Sequence, residues 1–429
     1  MNELIVLVIL VLNVFLIFSA LNRQVVFPYI FIFISVVSNI LLSPVTESLP
    51  GVAFLSRAIL FSSLALYIYK ANIKIDFIIK NLIFYFVILV VLYHDRNSFA
   101  AMVNYLSIFL FFSIGNSIKR DLHFYEMLTK TCKVLIIFFA IYLIFSKATG
   151  FGHDMYGGFT VGGLSNERIA IISFVSISLF GALFIRGSLN TYEYLYVFIA
   201  LIILLLLAKR LGILLFFTGL SIYVLQSKID IRKLGIFIII AIGFMLLTTQ
   251  YFLPKIEERL ATRGRKVEIK FETLQRESRY KEYQHVLDYL KDNRLSIVLF
   301  GNGFGPTHNY RYTYLGYANR SIHTGFMYTL YTIGLFGTAI IILFSIRLIY
   351  VFFISSIRYR MNKEKYFTST VLFGLPSICM FILSYAVENM FKNFSLFIIF
   401  FVLGVAYRGC DNNTIRHSAE IEDGRKQYE

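Results

Sequence analysis

Apolar runs of membrane-spanning length fill residues 3–20, 25–43, 52–69, 75–93, 99–116, 132–147, 167–186, 192–208, 211–227 and 234–253, then stop. They resume over 322–350, 366–386 and 391–407. A helix needs about 20 mostly apolar residues to cross a hydrocarbon core of about 30 Å. The pattern therefore predicts an all-α polytopic integral membrane protein with about 13 transmembrane helices (12–14), ten in 1–253 and three in 322–407. Runs such as LYVFIALIILLLLA do not alternate apolar and polar residues as barrel strands do, which rejects a β-barrel. The runs 192–208 and 211–227 are split only by Lys209-Arg210, and together they are too long for one crossing, so a tight turn at the membrane surface is expected there.

The interruption, 254–321, is a large arginine-rich polar loop. Within it, RESRYKEYQHVLDYLKD (276–292) places Tyr280, Tyr283, Val286, Leu287 and Leu290 on one face of a helix. The next segment, SIVLFGNGFG (296–305), reads as a strand leading into a glycine turn. The tail 408–429 is polar, and no internal repeat or low-complexity segment interrupts the order.

Positive charge orients the spans. Arg23, Lys70, Lys74, Lys119, Arg120, Lys130, Arg186, Lys228, Arg232, Lys233, Arg358, Arg360, Lys363 and Lys365 all fall in alternate short loops, together with the tail. The opposite loops, such as 43–51 and 150–166, carry almost none, with Arg96 the exception. Lys and Arg collect in cytoplasmic loops, so the first set is cytoplasmic and the loop 254–321 faces outward. Long loops translocate regardless of charge, so its arginines do not break the rule.

Composition agrees. The 429 residues are 58% hydrophobic and 15% charged, against about 25% charged in soluble domains. The net charge of +16 would point to nucleic acid in a soluble protein, but here much of it belongs to the cytoplasmic loops, and no nucleic-acid partner is expected. Cys132, Cys379 and Cys410 lie outside the large loop and imply no disulfide framework. The first apolar run lacks a basic flank and a small-residue cleavage site, so it reads as a retained helix. HExxH, P-loop and GxSxG patterns are absent.

Candidate chemistry gathers on the outward side. Arg276 and Arg279 stand three apart at the start of the loop helix and share a side. Two guanidiniums can hold a diphosphate through paired hydrogen bonds. The plainer reading is a basic helix resting on anionic headgroups. Lys209-Arg210 is either an interfacial anchor or part of a site. Arg57 lies within the third span, where a buried arginine calls for a partner or a functional cavity. Glu167-Arg168 opens the seventh span at the same level and reads alternatively as a local ion pair. His323 joins the loop to the eleventh span; His285, His308, Glu47, Glu167 and Glu388 compete with it for a catalytic role. The glycine turn lacks a following helix with a phosphate-binding lysine, so a close-packed or flexible turn is favoured over a nucleotide site.

Taken together these segments resemble the O-antigen polymerase/ligase family of bacterial envelope enzymes. GGLSNERIA (162–170), LLLLAKRLGILLFF (204–217), SRYKEYQHVLDYL followed by LFGNGFG (within 278–305), and HTGFMYTLYTIGLFG (323–337) occur in the family's order. Lys209 stands where the family often has Ser, and Thr324 where it often has Asn. The resemblance covers roughly 160–340; the first 150 residues match only as membrane spans.

The resemblance implies a GT-C-like, metal-independent glycosyltransferase without a cofactor. It would act at the periplasmic face of the bacterial inner membrane on polyprenyl-diphosphate-linked oligosaccharides. Its diphosphate-binding arginines fall on Arg210 and Arg279, with Arg276 and Arg57 as further candidates, and its histidine falls on His323. Membrane lipids and a chain-length regulator protein are the expected partners. The Phe-, Ile- and Tyr-rich, Trp-free composition resembles polymerases more than ligases, which transfer the finished glycan to lipid A–core. A flippase or other transporter is the alternative of another class, but it would favour internal repeats and broken helices at matching positions, and the sequence shows neither.

Overall fold

The computed structural model describes residues 2–22, 25–42, 50–93, 96–118, 122–151, 166–186, 191–206, 210–226, 278–303, 322, 324–362, 365–387 and 396–408. The regular elements among them are helical: α1 (Asn2–Leu21), α2 (Phe27–Leu42), α3 (Pro50–Lys70), α4 (Phe77–Tyr93), α5 (Arg96–Ser117), α6 (Leu122–Thr149), α7 (Asn166–Arg186), α8 (Thr191–Leu206), α9 (Arg210–Gln226), α10 (Ser278–Lys291), α11 (Leu295–Phe300), α12 (Gly325–Asn362), α13 (Lys365–Val387) and α14 (Phe397–Arg408). The expected span 234–253, the start of the polar loop and the tail lie outside the described residues.

Apolar runs become helices because lipid offers no hydrogen bonds, so each segment must satisfy its own backbone. The protein is a multi-pass membrane protein. Glu3–Leu21, His123–Thr149 and Gly325–Ser356 are each long and apolar enough to cross a bilayer, and shorter apolar helices accompany them. The outward faces are apolar, as a lipid solvent requires. On α1, Ile9, Asn13, Leu16 and Ala20 form the buried stripe, while Leu4, Leu7, Val11, Val14 and Phe18 are exposed.

The bundle is centred on α5, which is buried on all sides over residues 102–115. It packs most intimately with α14. A Cβ on Gly115 would overlap the Phe401 carbonyl, and one on Gly404 would overlap the Phe112 carbonyl. The two backbones therefore touch, which is how small residues bring membrane helices together. Aromatic rings fill the space around the crossing: Phe31 stacks on Phe111 at 4.9 Å and Phe109 meets Phe400 edge-on at 5.2 Å.

Polar contacts sort the helix ends into two faces. On one face Lys70 Nζ caps the Leu21 carbonyl at 2.7 Å, joining the ends of α3 and α1. Arg408 donates to the Ser117 carbonyl, joining the ends of α14 and α5. Lys133 pairs with Glu193 at 2.6 Å between α6 and α8. Asp76 caps α4 by accepting from the Ile78 N–H at 2.9 Å. The same carboxylate takes one guanidinium nitrogen of Arg347 at 3.1 Å to both oxygens, and Arg347 also donates to the Tyr407 hydroxyl. Of these residues Leu21, Lys70, Asp76, Ser117, Glu193 and Arg408 adjoin the positively charged short loops. The segment α10–α11 docks at the opposite ends of α4, α12 and α13. Grouping of the ends by contact thus follows the grouping by charge.

Three expectations are corrected. The sixth span begins at Leu122, not 132, because Phe124, Tyr125 and Leu128 pack against protein rather than lipid; Phe124 meets Tyr29 and Phe401, and Tyr125 stacks on Phe373. Lys130 is therefore on a helix, not in a loop. The helix of the eleventh span continues to Asn362 instead of ending near 350, with Phe352 packed against Gly374 of α13, so Arg358 and Arg360 are also on a helix. The expected start of the thirteenth span at 391 lies outside the described residues; α14 is described from Phe397. Finally, the segment after Arg294 is not a strand: Leu295–Phe300 is a short helix.

Candidate functional site

The site is best built from α10. Its buried stripe is Glu282, Val286 and Leu290, while Leu287 is 44% exposed. The helix is thus rotated from the expected apolar face, and an acid lies within the seal. A buried carboxylate must be bonded. Glu282, 4% exposed, accepts from the Thr324 N–H at 2.9 Å and from its hydroxyl at 3.0 Å. Thr324 immediately precedes α12, and its carbonyl accepts the Tyr328 N–H at 2.9 Å to close the first turn. A helix start has free N–H groups and partial positive charge, so a carboxylate from a neighbouring helix suits it well.

Tyrosines of α10 add further contacts. Tyr283 donates to the Ala386 carbonyl at 3.3 Å, near the end of α13. Tyr289 donates to Asn302 Oδ1 at 3.1 Å, and its ring lies 5.2 Å from that of Tyr331. Asn302 is the centre of the glycine turn. Its backbone N–H reaches the Tyr331 carbonyl at 2.9 Å, and its side-chain amide reaches the same oxygen at 3.3 Å.

That carbonyl is available because α12 is broken. Gly334 has φ 64° and ψ −170°, which is not helical. Gly301, at φ 78°, faces it so closely that a Cβ on either glycine would strike the other's backbone. Tyr85 donates to the Ile333 carbonyl at 2.6 Å, and Tyr93 donates to the Gly301 carbonyl. Gly303 and Gly337 lie against the rings of Tyr93 and Tyr85. Broken helices are tolerated at membrane depth where neighbouring groups satisfy the freed carbonyls. The Gly-x-Gly turn is accordingly a clasp on a membrane helix, in keeping with a packed turn rather than a nucleotide loop.

Behind the clasp lies a buried band of hydroxyl groups. Thr329 and Tyr385 are 2.5 Å apart, Tyr105 stacks on Tyr328 at 6.4 Å, and Thr332 donates to the Tyr328 carbonyl at 2.7 Å. These groups come from α5, α12 and α13.

The residues expected from sequence are distributed as follows. Arg279 is the second residue of α10, and Arg210 is the first of α9. Glu167 and Arg168 follow Asn166 at the start of α7. Ser173 donates to the Gly212 carbonyl at 2.6 Å, so the start of α9 packs on the second turn of α7. Arg57 is half-buried in α3; no ion pair to it forms among the described residues. Arg276 and His323 lie outside the described residues, as do the side chains of Arg210, Arg279, Glu167 and Arg168. The backbone nevertheless brings three motif-bearing elements onto α13: α9 and α12 pack against it, and α10 reaches it through Tyr283. Arg57 is apart from them, on a helix packed against α1, α5 and α2.

Sequence reading missed Glu282, Asn302, Tyr85 and Tyr93. Glu282 had a local signal: it stands three residues after Arg279 and four before Val286, on the side of both. The tyrosines had none, because their partners are carbonyls 208 and 248 residues away.

These features define a class: a helical membrane protein whose polar loop is clasped onto a broken membrane helix. Residues 195–342 match the family model described as O-antigen ligase. The chain thus carries a domain of the O-antigen ligase/polymerase family, whose members are membrane glycosyltransferases. The matched span runs from α8 to the middle of α12 and contains both the α10 helix and its clasp. Of the four resembling segments, GGLSNERIA (162–170) falls outside it. No curated protein matches the sequence.

Proposed function

We propose that this chain polymerises polyprenyl-diphosphate-linked oligosaccharide repeat units into a surface polysaccharide at the periplasmic face of the bacterial inner membrane. One observation carries the reading. The arginine-led helix α10 is bonded through Glu282 to Thr324, the residue after His323. Two motifs far apart in sequence therefore meet at one end of α12.

In this reading the acceptor hydroxyl oxygen bonds to the anomeric carbon of the donor sugar. The bond from that carbon to the diphosphate oxygen breaks, and the diphosphate leaves on its polyprenyl chain. Arg210 and Arg279 stabilise the charge gathering on the leaving group, with Arg276 beside them; preorganised donors of this kind lower the barrier most where charge develops. His323 takes the hydroxyl proton, a role suited to imidazole near neutral pH. Arginines meet the electrostatic demand, so the proposal includes no metal or cofactor. The lipid tail lies among the apolar helix faces. Arg57, Glu167 and Arg168 remain candidates for contacts with the rest of the donor.

The family model's description favours a second reading, ligation of the finished glycan to lipid A–core. One experiment separates the two. Purified protein in lipid nanodiscs is given a polyprenyl diphosphate oligosaccharide, alone or with lipid A–core. Polymerase action lengthens the glycan on its carrier without lipid A–core. Transfer only to lipid A–core would refute the polymerase and support the ligase; no transfer under either condition would refute both.

A further inference from the structure

We propose that Glu282 is a positioning residue for the transfer: its carboxylate fixes the polypeptide beside His323 and ties it to the helix that carries Arg279. The inference rests on the functional reading above. Its geometry does not.

Glu282 is 4% exposed and Thr324 is 1% exposed. The carboxylate accepts both the main-chain N–H and the hydroxyl of Thr324, at 2.9 and 3.0 Å, across 42 residues of chain. A single hydrogen bond between side chains would leave the peptide free to rotate. Two bonds to one residue, one of them to its backbone, fix the direction in which the chain enters α12. The preceding residue is His323. At the other end of the same helix turn, Arg279 stands three residues before Glu282, so one rigid helix sets both positions. The clasp at Gly301 and Gly334 fixes the far end of the α10–α11 segment. Glu282 bonds that segment to the start of α12, where small displacements would matter most. Misplacing a reacting group by about 1 Å can cost about 100-fold in rate.

The test uses the full-length protein in nanodiscs with the lipid diphosphate oligosaccharide. Glu282→Ala is expected to lower kcat about 10- to 100-fold, with KM for the lipid donor changed less than about 2-fold, as for loss of a transition-state interaction alone. Glu282→Gln keeps an acceptor oxygen and should recover most of the rate. Thr324→Ala keeps the N–H and should give a smaller fall, again in kcat.

A residue acting through His323 makes non-additive double variants. Glu282→Ala should therefore have almost no further effect in a His323→Ala background, and its full effect in an Arg210→Lys background. A full additional loss in the His323→Ala background would overturn the proposal and leave Glu282 a purely structural bond. So would a loss confined to folded yield in all three single variants. Full activity of His323→Ala would instead overturn the functional reading, whatever Glu282→Ala does.

Discussion

Replacing Gly334 with alanine tests the clasp directly. Gly334 sits at φ 64°, ψ −170°, a region open essentially to glycine alone, and a side chain there costs about 1–3 kcal/mol in backbone strain. The added Cβ would also strike the Gly301 nitrogen and the Leu299 carbonyl. Relieving that overlap means lifting the turn from α12. The bond from the Asn302 N–H to the Tyr331 carbonyl would then be lost, at about 0.5–1.5 kcal/mol net. Together the two terms amount to about 1.5–4.5 kcal/mol, or roughly a 10- to 2,000-fold shift of the docking equilibrium at 1.4 kcal/mol per tenfold. The α5–α14 contact is remote and should be untouched. Hydrogen exchange of the purified protein is the assay. Amides of 295–303 should exchange faster in Gly334→Ala by about the same factor, while those of 112–115, at the α14 crossing, keep their protection and glycan transfer falls. Gly51→Ala, where nothing lies within 4 Å of the new Cβ, is the matched control. Unchanged exchange at 295–303 would refute the clasp as a structural necessity.

The remaining predictions concern the bundle, its charged face and its orientation. Gly404→Leu should prevent stable assembly, because the added side chain has only the Phe112 backbone to enter; membrane accumulation and detergent thermal stability read this out, and normal levels of both would contradict the crossing. Asp76→Ala should destabilise the protein by about 1–3 kcal/mol through loss of a helix cap and a charge-assisted bond, and Asp76→Asn by less, because the amide oxygen still caps α4; equal losses would show that the cap contributes nothing. Arg210→Lys and Arg279→Lys should each cut transfer at least about 10-fold with protein still in the membrane, because lysine cannot make a planar two-pronged contact, whereas Arg265→Ala should be mild; three equal effects would reduce the loop to a general basic surface. Topology reporters at Gly157 and Thr262 should read periplasmic, and one at Asn362 cytoplasmic; a cytoplasmic signal at Thr262 would place the arginines on the wrong side of the membrane.

What the sequence determined by itself is whatever lipid or local periodicity enforces. An apolar run in a bilayer has no backbone partner but itself, so α1, α2, α4 and α9 could be placed from hydropathy alone. The helix α10 was legible from its 3.6-residue repeat, and the grouping of loop charges anticipated which helix ends meet. Tertiary structure decided the rest, because the deciding partner lies far away in the chain. The extension of α6 back to Leu122 follows from Phe124 and Tyr125 packing on α2, α13 and α14, a protein environment that hydropathy does not register. The six residues LSIVLF suit strand or helix equally in isolation, and docking on α12 selects the helix at Leu295–Phe300. Gly334 inside an apolar run reads as one more helical residue; its break exists because Gly301 occupies the place where a continuous helix would pass. The arginines and histidine of the candidate site were visible as motifs. The carboxylate that joins their two helices was not, since Glu282 becomes a buried partner only when residue 324 folds back across the intervening loop to meet it.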